Sequence, residues 1–270
     1  MPELPEVETT CRGIAKHITG KKVNQVYVHQ ANLRWPVTRK LNNILHQQTV
    51  NSVDRRAKYI LIRFAIGTLI IHLGMSGSLR ISPKLEAKRK HDHLEFEFDK
   101  FVMRFHDPRR FGCVLWTPEN PEQHSLMRKL GPEPLTDLFT GTMLYKLSRN
   151  KKCTIKSFIM EGKNVVGIGN IYACESLFMA KIHPLKKANT ISMQRYLDLV
   201  RNIKQVLSDA IKQGGTTLKD FVNSEGAPGY FSIKLNVYGK KSKPCPECGK
   251  PILSRVISQR NTFYCNRCQN

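Results

Sequence analysis

Residues 59–75 read YILIRFAIGTLIIHLGM, the most apolar stretch of the chain. Arg63, Gly67 and His72 interrupt it, so it is too broken to serve as a membrane span. Its halves, YILIRFAI and TLIIHLGM, are short β-branched runs separated by a glycine, which predicts two strands. Working outward, VNQVYVH, NSVDRR, HLEFEFD, FVMRFHD and CVLWTP repeat that pattern between Gly, Pro, Asp or Asn. Roughly seven strands in about ninety residues predict a sandwich or barrel. Ahead of them, Val7, Cys11, Ile14, Ala15 and Ile18 recur at helical spacing behind acids in the first turn, which predicts one amphipathic helix from Pro5 to Ile18.

Beyond the strands, LGPEPLTDL at 130–138 breaks both periodicities and marks a domain boundary. Helices are predicted over 142–147, 155–160, 170–179 and 192–212. The last carries an apolar stripe of Tyr196, Leu197, Val200, Ile203, Val206, Leu207, Ala210 and Ile211. Thr217 and Asp220 form a capping box for one more short helix, and NSEGAPGYFSIKL at 223–235 has no periodicity and reads as a loop. The expected fold class is α+β and multidomain: a helix with a β-sandwich over 1–132, a helical domain over 133–236, and a four-cysteine segment over 237–270.

Lys and Arg number 44 against 21 Asp and Glu, a formal charge of +23, which calls for a polyanionic partner. No Lys/Arg-rich helix with a strong apolar face offers itself to lipid, so nucleic acid is the expected partner and a membrane is not. The opening PELPEVE is acidic where a secretion signal is basic. The scattered Cys11, Cys113, Cys153 and Cys174 read as reduced thiols.

The other four cysteines follow the pattern Cys245-x2-Cys248-x16-Cys265-x2-Cys268, two knuckles that bring four thiolates into the tetrahedron zinc prefers. Four free thiols would leave this segment with little apolar content and nothing to fold it. A closed set of four leaves no position for water, so the expected zinc is structural. Between the knuckles, ILSRVISQ and TFYC predict two strands with Arg260 and Asn261 at the turn. An arginine at such a tip is either solvated or placed to reach DNA.

At the other end, Met1 precedes a small residue, and its removal is expected to leave Pro2 as a secondary amine. An α-amine has a pKa of about 8, so far more of it than of a lysine is unprotonated at neutral pH and free to attack an electrophilic carbon and form an iminium ion. Glu3, Glu6 and Glu8 stand beside it. The alternative is that Pro2 and Pro5 stiffen the chain while the glutamates complement the positive end of the helix. Lys58 is expected to begin a strand over 58–66, on the side of Ile60, Ile62 and Phe64, where partial desolvation eases its deprotonation. It reads equally as one more surface cation of RRAK. GIGNIY at 167–172 puts glycines before a helix with Asn170 as N-cap, the pattern of a phosphate cradle or of an ordinary capped helix.

PELPEVE, RRAKY, HLGMSGSLR, KHDH, DPRRFG, LGPEP, GIGNIY, GGTTLKDF, PGYF and QRNTFYC follow one another along the chain. In this it resembles the bacterial formamidopyrimidine-DNA glycosylases over its whole length. Leu4 favours that branch over the related endonuclease VIII group, which typically has Gly there. The resemblance implies an amino-terminal helix with a β-sandwich, a helix-two-turn-helix domain and a zinc ribbon, with DNA in the cleft between the halves. It implies Pro2 as the nucleophile at C1′, Glu3 as the acid that helps open the sugar, Lys58 as an aid to β-elimination, and Arg260 as the residue of the δ step. Met75, Arg109 and Phe111 would fill the void left by an everted base; a core position is the alternative for Met75 and Phe111, though LGMSG and RRFG read as loop ends. His91, Arg110, Lys151 and Asn170 would hold phosphates, and the loop 223–235 would close over the everted purine.

The implied activity is that of a bifunctional DNA glycosylase and abasic-site lyase excising 8-oxoguanine and formamidopyrimidines. Its implied partner is damaged double-stranded DNA, its metal one structural zinc, its state a monomer, and its place the bacterial cytoplasm at the nucleoid. Two rivals stand beside it. A same-fold enzyme for oxidised pyrimidines is separated by PELPE and PGYF, while a non-catalytic zinc-ribbon DNA-binding protein would need only the charge and the four cysteines. At Asn261 many family members carry a smaller residue, which bears on how Arg260 is placed.

Overall fold

The computed structural model describes residues 2–214 and 235–270. The chain divides into two compact units, passing from one to the other at Arg128/Lys129. The first begins with α1 (Leu4–Ile18), followed by β1 (Gln25–Val28), a short α2 (Leu41–Leu45), β2 (Ser52–Arg56), β3 (Tyr59–Phe64), β4 (Gly67–His72), β5 (Ser78–Pro83), β6 (Asp92–Glu97), β7 (Phe101–His106) and β8 (Cys113–Thr117). The strands make two antiparallel four-stranded sheets, in the orders β1-β6-β7-β5 and β2-β3-β4-β8. Val7, Cys11, Ile14 and Ile18 of α1 share one core with Ile60, Ile62, Leu69 and Ile71 of one sheet and Leu79, Leu94, Phe96, Met103 and Phe105 of the other. Burial pushes the Cys11 thiol pKa up to about 12 and that of Cys113 up to about 11.

The strand β5 and the helix α2 go beyond the seven strands expected. SLRISP escapes pattern reading because its polar residues are buried: Ser78, Arg80 and Ser82 are each 2% exposed. Arg80 is tolerated there by a two-pronged ion pair with Asp92, at 2.9 and 2.6 Å.

The second unit contains α3 (Gly141–Ser148), α4 (Ile155–Ile159), α5 (Asn170–Met179), α6 (Met193–Lys212) and the hairpin β9 (Leu253–Ile257) and β10 (Arg260–Tyr264). Thr140 and Thr154 cap α3 and α4, their hydroxyls accepting the backbone N–H groups of Met143 and Ser157. Gly141 lets α3 approach α6 closely, since a Cβ there would lie 2.6 Å from the Leu197 backbone. On α6 the buried face is Tyr196, Leu199, Val200, Ile203, Leu207 and Ala210. Leu197 points outward at 40% exposure, against the expected stripe. The four-cysteine segment packs on α5 through Cys174 and Phe178, which cluster with Val237, Ile252 and two of its cysteines. The Glu175 carboxylate accepts the backbone N–H groups of Asn236, Val237 and Tyr238 at 2.7–2.9 Å, fixing the approach to that segment. The expected capping box at Thr217 and Asp220, and the expected loop up to residue 234, lie outside the described residues.

Candidate active site and metal centre

Helix α1 starts where Pro5 presets the first turn and Glu3 supplies an extended N-cap. Glu3 and Glu6 form a capping box, in which the Glu6 carboxylate accepts the Glu3 backbone N–H at 2.8 Å. Pro2, Glu3 and Glu6 are all buried. One turn further, Glu8 accepts from Arg55 and Arg12, each at 2.8 Å. Burial opposes ionisation of Glu8, but the two guanidinium groups outweigh it and hold its carboxyl below the usual range. Arg55 also donates to the Ala57 carbonyl at 2.9 Å, so α1 is tied to the hairpin turn between β2 and β3.

Lys58 sits in that turn, after Ala57 with φ of 54°, rather than at the start of a strand as expected. The two-residue turn leaves the β3 ladder to begin at Tyr59, which pairs with Arg56. Lys58 remains half-buried, and its charge reaches His72 at the end of β4. Burial first, then Lys58 and Arg34, lower the His72 pKa to about 4. The Gly74 N–H donates to His72 Nδ1 at 2.9 Å, which leaves the ring proton of the neutral imidazole on Nε2. In the sequence His72 stands out only as a polar break in an apolar run.

Met75, Arg109 and Phe111 lie on two loops, β4–β5 and β7–β8. Met75 is 40% and Phe111 44% exposed, which excludes a core position, and the Arg109 guanidinium lies 4.9 Å from the Phe111 ring centre. One carboxylate that motif reading passed over joins these loops. Asp107, fully buried, accepts from the backbone of Gly112 at 2.7 Å, the backbone of Arg109 at 3.3 Å and the Ser76 hydroxyl at 3.4 Å. Its own N–H donates to the His91 carbonyl, and its carbonyl accepts from the Arg110 backbone and from His93 Nε2. Met75, His91, Arg109, Arg110 and Phe111 are thus gathered around one residue. Gly74, at φ of +66°, permits the two loops to touch, since a Cβ there would meet Gly112 N at 2.5 Å. Beneath His91, Asp92 binds Arg80 and His106.

In the second unit the N-cap of α5 is Gly169, and Asn170 is the first helical residue, against the expected N-cap role. Its side chain is engaged elsewhere: Oδ1 accepts from Lys156 Nζ at 2.5 Å and Nδ2 donates to the Asn261 carbonyl at 2.8 Å. Lys151 is half-buried after α3, its backbone N–H bonded to Ser148. The β9–β10 turn is Ser258–Gln259, with φ of 46° and 61°, so Arg260 and Asn261 are the first residues of β10 rather than the turn itself. Arg260 pairs with Ile257 and is exposed.

The sulfurs of Cys245, Cys248, Cys265 and Cys268 all lie within 4.8 Å of one another. The pair Cys245/Cys268 is separated by 3.9 Å and Cys248/Cys265 by 3.5 Å. Four zinc–sulfur bonds of about 2.3 Å in a tetrahedron place sulfurs about 3.8 Å apart, so the set fits the ion.

Family models match the chain in three consecutive segments: the formamidopyrimidine-DNA glycosylase N-terminal domain over residues 1–114, the H2TH domain of the same enzymes over 130–222, and a zinc finger found in FPG and IleRS over 242–270. The chain belongs to the formamidopyrimidine-DNA glycosylase family. The formamidopyrimidine-DNA glycosylase of Methylococcus capsulatus is 53% identical over 270 residues, covering all of both chains. That of Teredinibacter turnerae is 52% identical, again over the whole of both. Among solved structures, the MutM (FPG) protein of Thermus thermophilus matches with a TM-score of 0.89 at 33% identity, covering 99% of this chain and 98% of that one. Lactococcus lactis Fpg in complex with DNA containing N7-benzyl-Fapy-dG matches with a TM-score of 0.91 at 32% identity, covering all of both. The formamidopyrimidine-DNA glycosylase fold, an amino-terminal helix and β-sandwich followed by a helix-two-turn-helix domain and a zinc finger, is the fold of this chain. Cys245, Cys248, Cys265 and Cys268 hold one structural zinc ion. Among the described residues no helix is long and apolar enough to cross a membrane.

Proposed function

We propose that the protein is a bifunctional DNA glycosylase and abasic-site lyase that removes 8-oxoguanine and formamidopyrimidines from damaged double-stranded DNA. The observation that carries this reading is the buried capping box that sets Glu3 directly after Pro2 at the mouth of α1. Family membership and relatives solved with lesion-containing DNA support the substrate class.

Once Met1 is gone, the Pro2 nitrogen attacks C1′ of the damaged nucleoside and the base departs with the glycosidic electron pair; Glu3 then gives a proton to the ring oxygen as the C1′–O4′ bond breaks and the Pro2 nitrogen sheds its own proton, leaving an iminium. The iminium so formed draws electrons from C2′. Loss of the C2′ proton then builds a double bond, the C3′–O bond breaks, and the 3′ phosphate leaves with its electron pair. Lys58 assists this β-elimination and Arg260 the δ-elimination that follows. Met75, Arg109 and Phe111 fill the space of the everted nucleotide, a role that suits their exposure on loops. His91, Arg110, Lys151 and Asn170 hold phosphates, and the zinc keeps the β9–β10 hairpin folded without taking part in any chemical step. Three domains, 1–132, 133–236 and 237–270, share these tasks in a monomer that works in the cytoplasm at the nucleoid and needs no membrane.

Borohydride reduction on a duplex containing 8-oxoguanine tests the central step, because reduction of an iminium fixes whichever amine formed it. The expected adduct maps to Pro2. Attachment at Lys58 would transfer the nucleophile there and leave Pro2 a structural residue.

A further inference from the structure

Lys156 is 1% exposed, one of the largest fully buried side chains among the described residues. Burying an ammonium sacrifices its hydration, and an apolar side chain of similar length would fill the same space without that loss. Its contacts suggest what is gained. Nζ donates to Asn170 Oδ1 at 2.5 Å and to Thr262 Oγ1 at 2.6 Å. The Thr262 hydroxyl, fully buried, in turn donates to the Arg260 carbonyl at 3.2 Å. Asn170 closes the circuit by donating to the Asn261 carbonyl at 2.8 Å, and Ser157, next to Lys156, meets Ser258 of the hairpin turn at 3.0 Å. One ammonium on α4 therefore bonds both the start of α5 and the first residues of β10, beside the direct contact between Asn170 and Asn261.

We propose that Lys156 is a positioning residue that couples the phosphate contact at Asn170 to the placement of Arg260, and so sets how far elimination proceeds. This rests on the δ role assigned to Arg260 above. After the β step, loss of the C4′ proton extends the conjugation, the C5′–O bond breaks, and the 5′-side phosphate leaves with its electron pair. That second departure needs a cation in register with the backbone. The first depends on the iminium at Pro2 and tolerates a displaced Arg260. Loosening the circuit should thus shift products from δ to β without removing base excision.

The test uses the zinc-loaded full chain and a duplex with a preformed abasic site. It measures the ratio of β to δ product ends, alongside zinc content and borohydride-trapped yield. Thr262→Val and Lys156→Met are each expected to raise that ratio on the order of tenfold, the weight of a well-placed hydrogen bond, with one zinc per chain and trapping within about twofold of the parent. Thr262→Ser, which keeps the hydroxyl, is expected to retain the parent ratio. Should Lys156→Met fail to fold, the Thr262 pair decides the matter. An unchanged ratio in zinc-bound Thr262→Val, or a proportional fall in trapping and both products, would overturn the coupling. Arg260→Ala separates the two readings: if it loses δ product while Thr262→Val does not, only the coupling fails, and if it keeps δ product, the role of Arg260 fails and the coupling with it.

Discussion

The Glu6 carboxylate accepts the backbone N–H of Glu3 at 2.8 Å, so the acid that follows Pro2 is held in place by the acid one helical turn further on. Glu3 is thereby fixed as the N-cap of a helix whose apolar face is locked into the sandwich core. Precise placement of a proton donor is worth on the order of 10²–10⁴-fold in rate.

Glu3→Gln keeps the shape of the cap and cannot donate a carboxyl proton. It is expected to lose excision of 8-oxoguanine by about that 10²–10⁴-fold factor. Cleavage at a preformed abasic site, where the sugar already opens to an aldehyde, should remain substantial. Single-turnover rates on the two substrates check this, and an equal fall on both would place Glu3 in a step they share.

Asp107→Ala removes three accepted hydrogen bonds at once. A buried N–H left without a partner costs about 1–3 kcal/mol, so a loss of stability of that size is expected in denaturant titration. The loops carrying Met75 and Arg109 should loosen together. With Arg109 proposed to face the orphaned partner base, selectivity for the base opposite the lesion should then fall further than the rate on the preferred pair, and rates on duplexes differing only in that base will report it.

Asp92 makes the stability of the first unit depend on pH. Burial opposes its ionisation, but His106, Arg80 and the Arg89 backbone overcome this and hold its carboxyl far below the ordinary range. Because the folded-state pKa is depressed, the stabilisation is present in full above the unfolded value of about 4 and is lost as pH falls below it. Asp92→Asn should therefore be less stable than the parent by about 3–5 kcal/mol near neutrality. The gap should narrow as the medium is acidified through pH 4, as followed by denaturant midpoints across that range.

Cys248→Ser breaks the closed set of four thiolates. Beyond the cysteines, the cluster under this segment has few buried apolar members, chiefly Val237 and Ile252 with Phe178 of α5. Zinc and duplex affinity are expected to fall together, read by metal analysis and by binding at fixed salt. A metal-free variant that cleaves lesion DNA at the parent rate would remove the zinc from any role in holding the hairpin.

Much of this architecture is written locally. The helices α1, α5 and α6 begin and end within a residue or so of where periodicity puts them, because an apolar stripe and its end signals are neighbours in sequence. What escaped depends on distant partners. Arg80 is tolerated inside β5 because Asp92 lies beside it, and Lys156 is buried against Asn170 and against Thr262, 106 residues later. The Ser258–Gln259 turn was hidden for another reason: both residues take positive φ without being glycine, so the more familiar turn-former Asn261 drew the prediction away. For the candidate site, the loop-end character of Met75 and Phe111 was legible. The gathering of both around Asp107 was not, since a carboxylate serving backbone amides leaves no spacing signature.

Oxidants that damage guanine also attack thiolates, which makes the thiol inventory of the first unit consequential. Cys11 and Cys113 are buried and ionise only near pH 12 and 11, so almost none of either is thiolate at neutral pH, and peroxide finds little to react with. Cys174 is buried as well, which leaves Cys153 as the single exposed thiol outside the metal set. Reversible capping or oxidation of Cys153 takes place on an exposed side chain of the second unit, outside the core that seats α1. The core that seats α1, and with it Glu3, thus offers almost no thiolate to the oxidants that create such lesions.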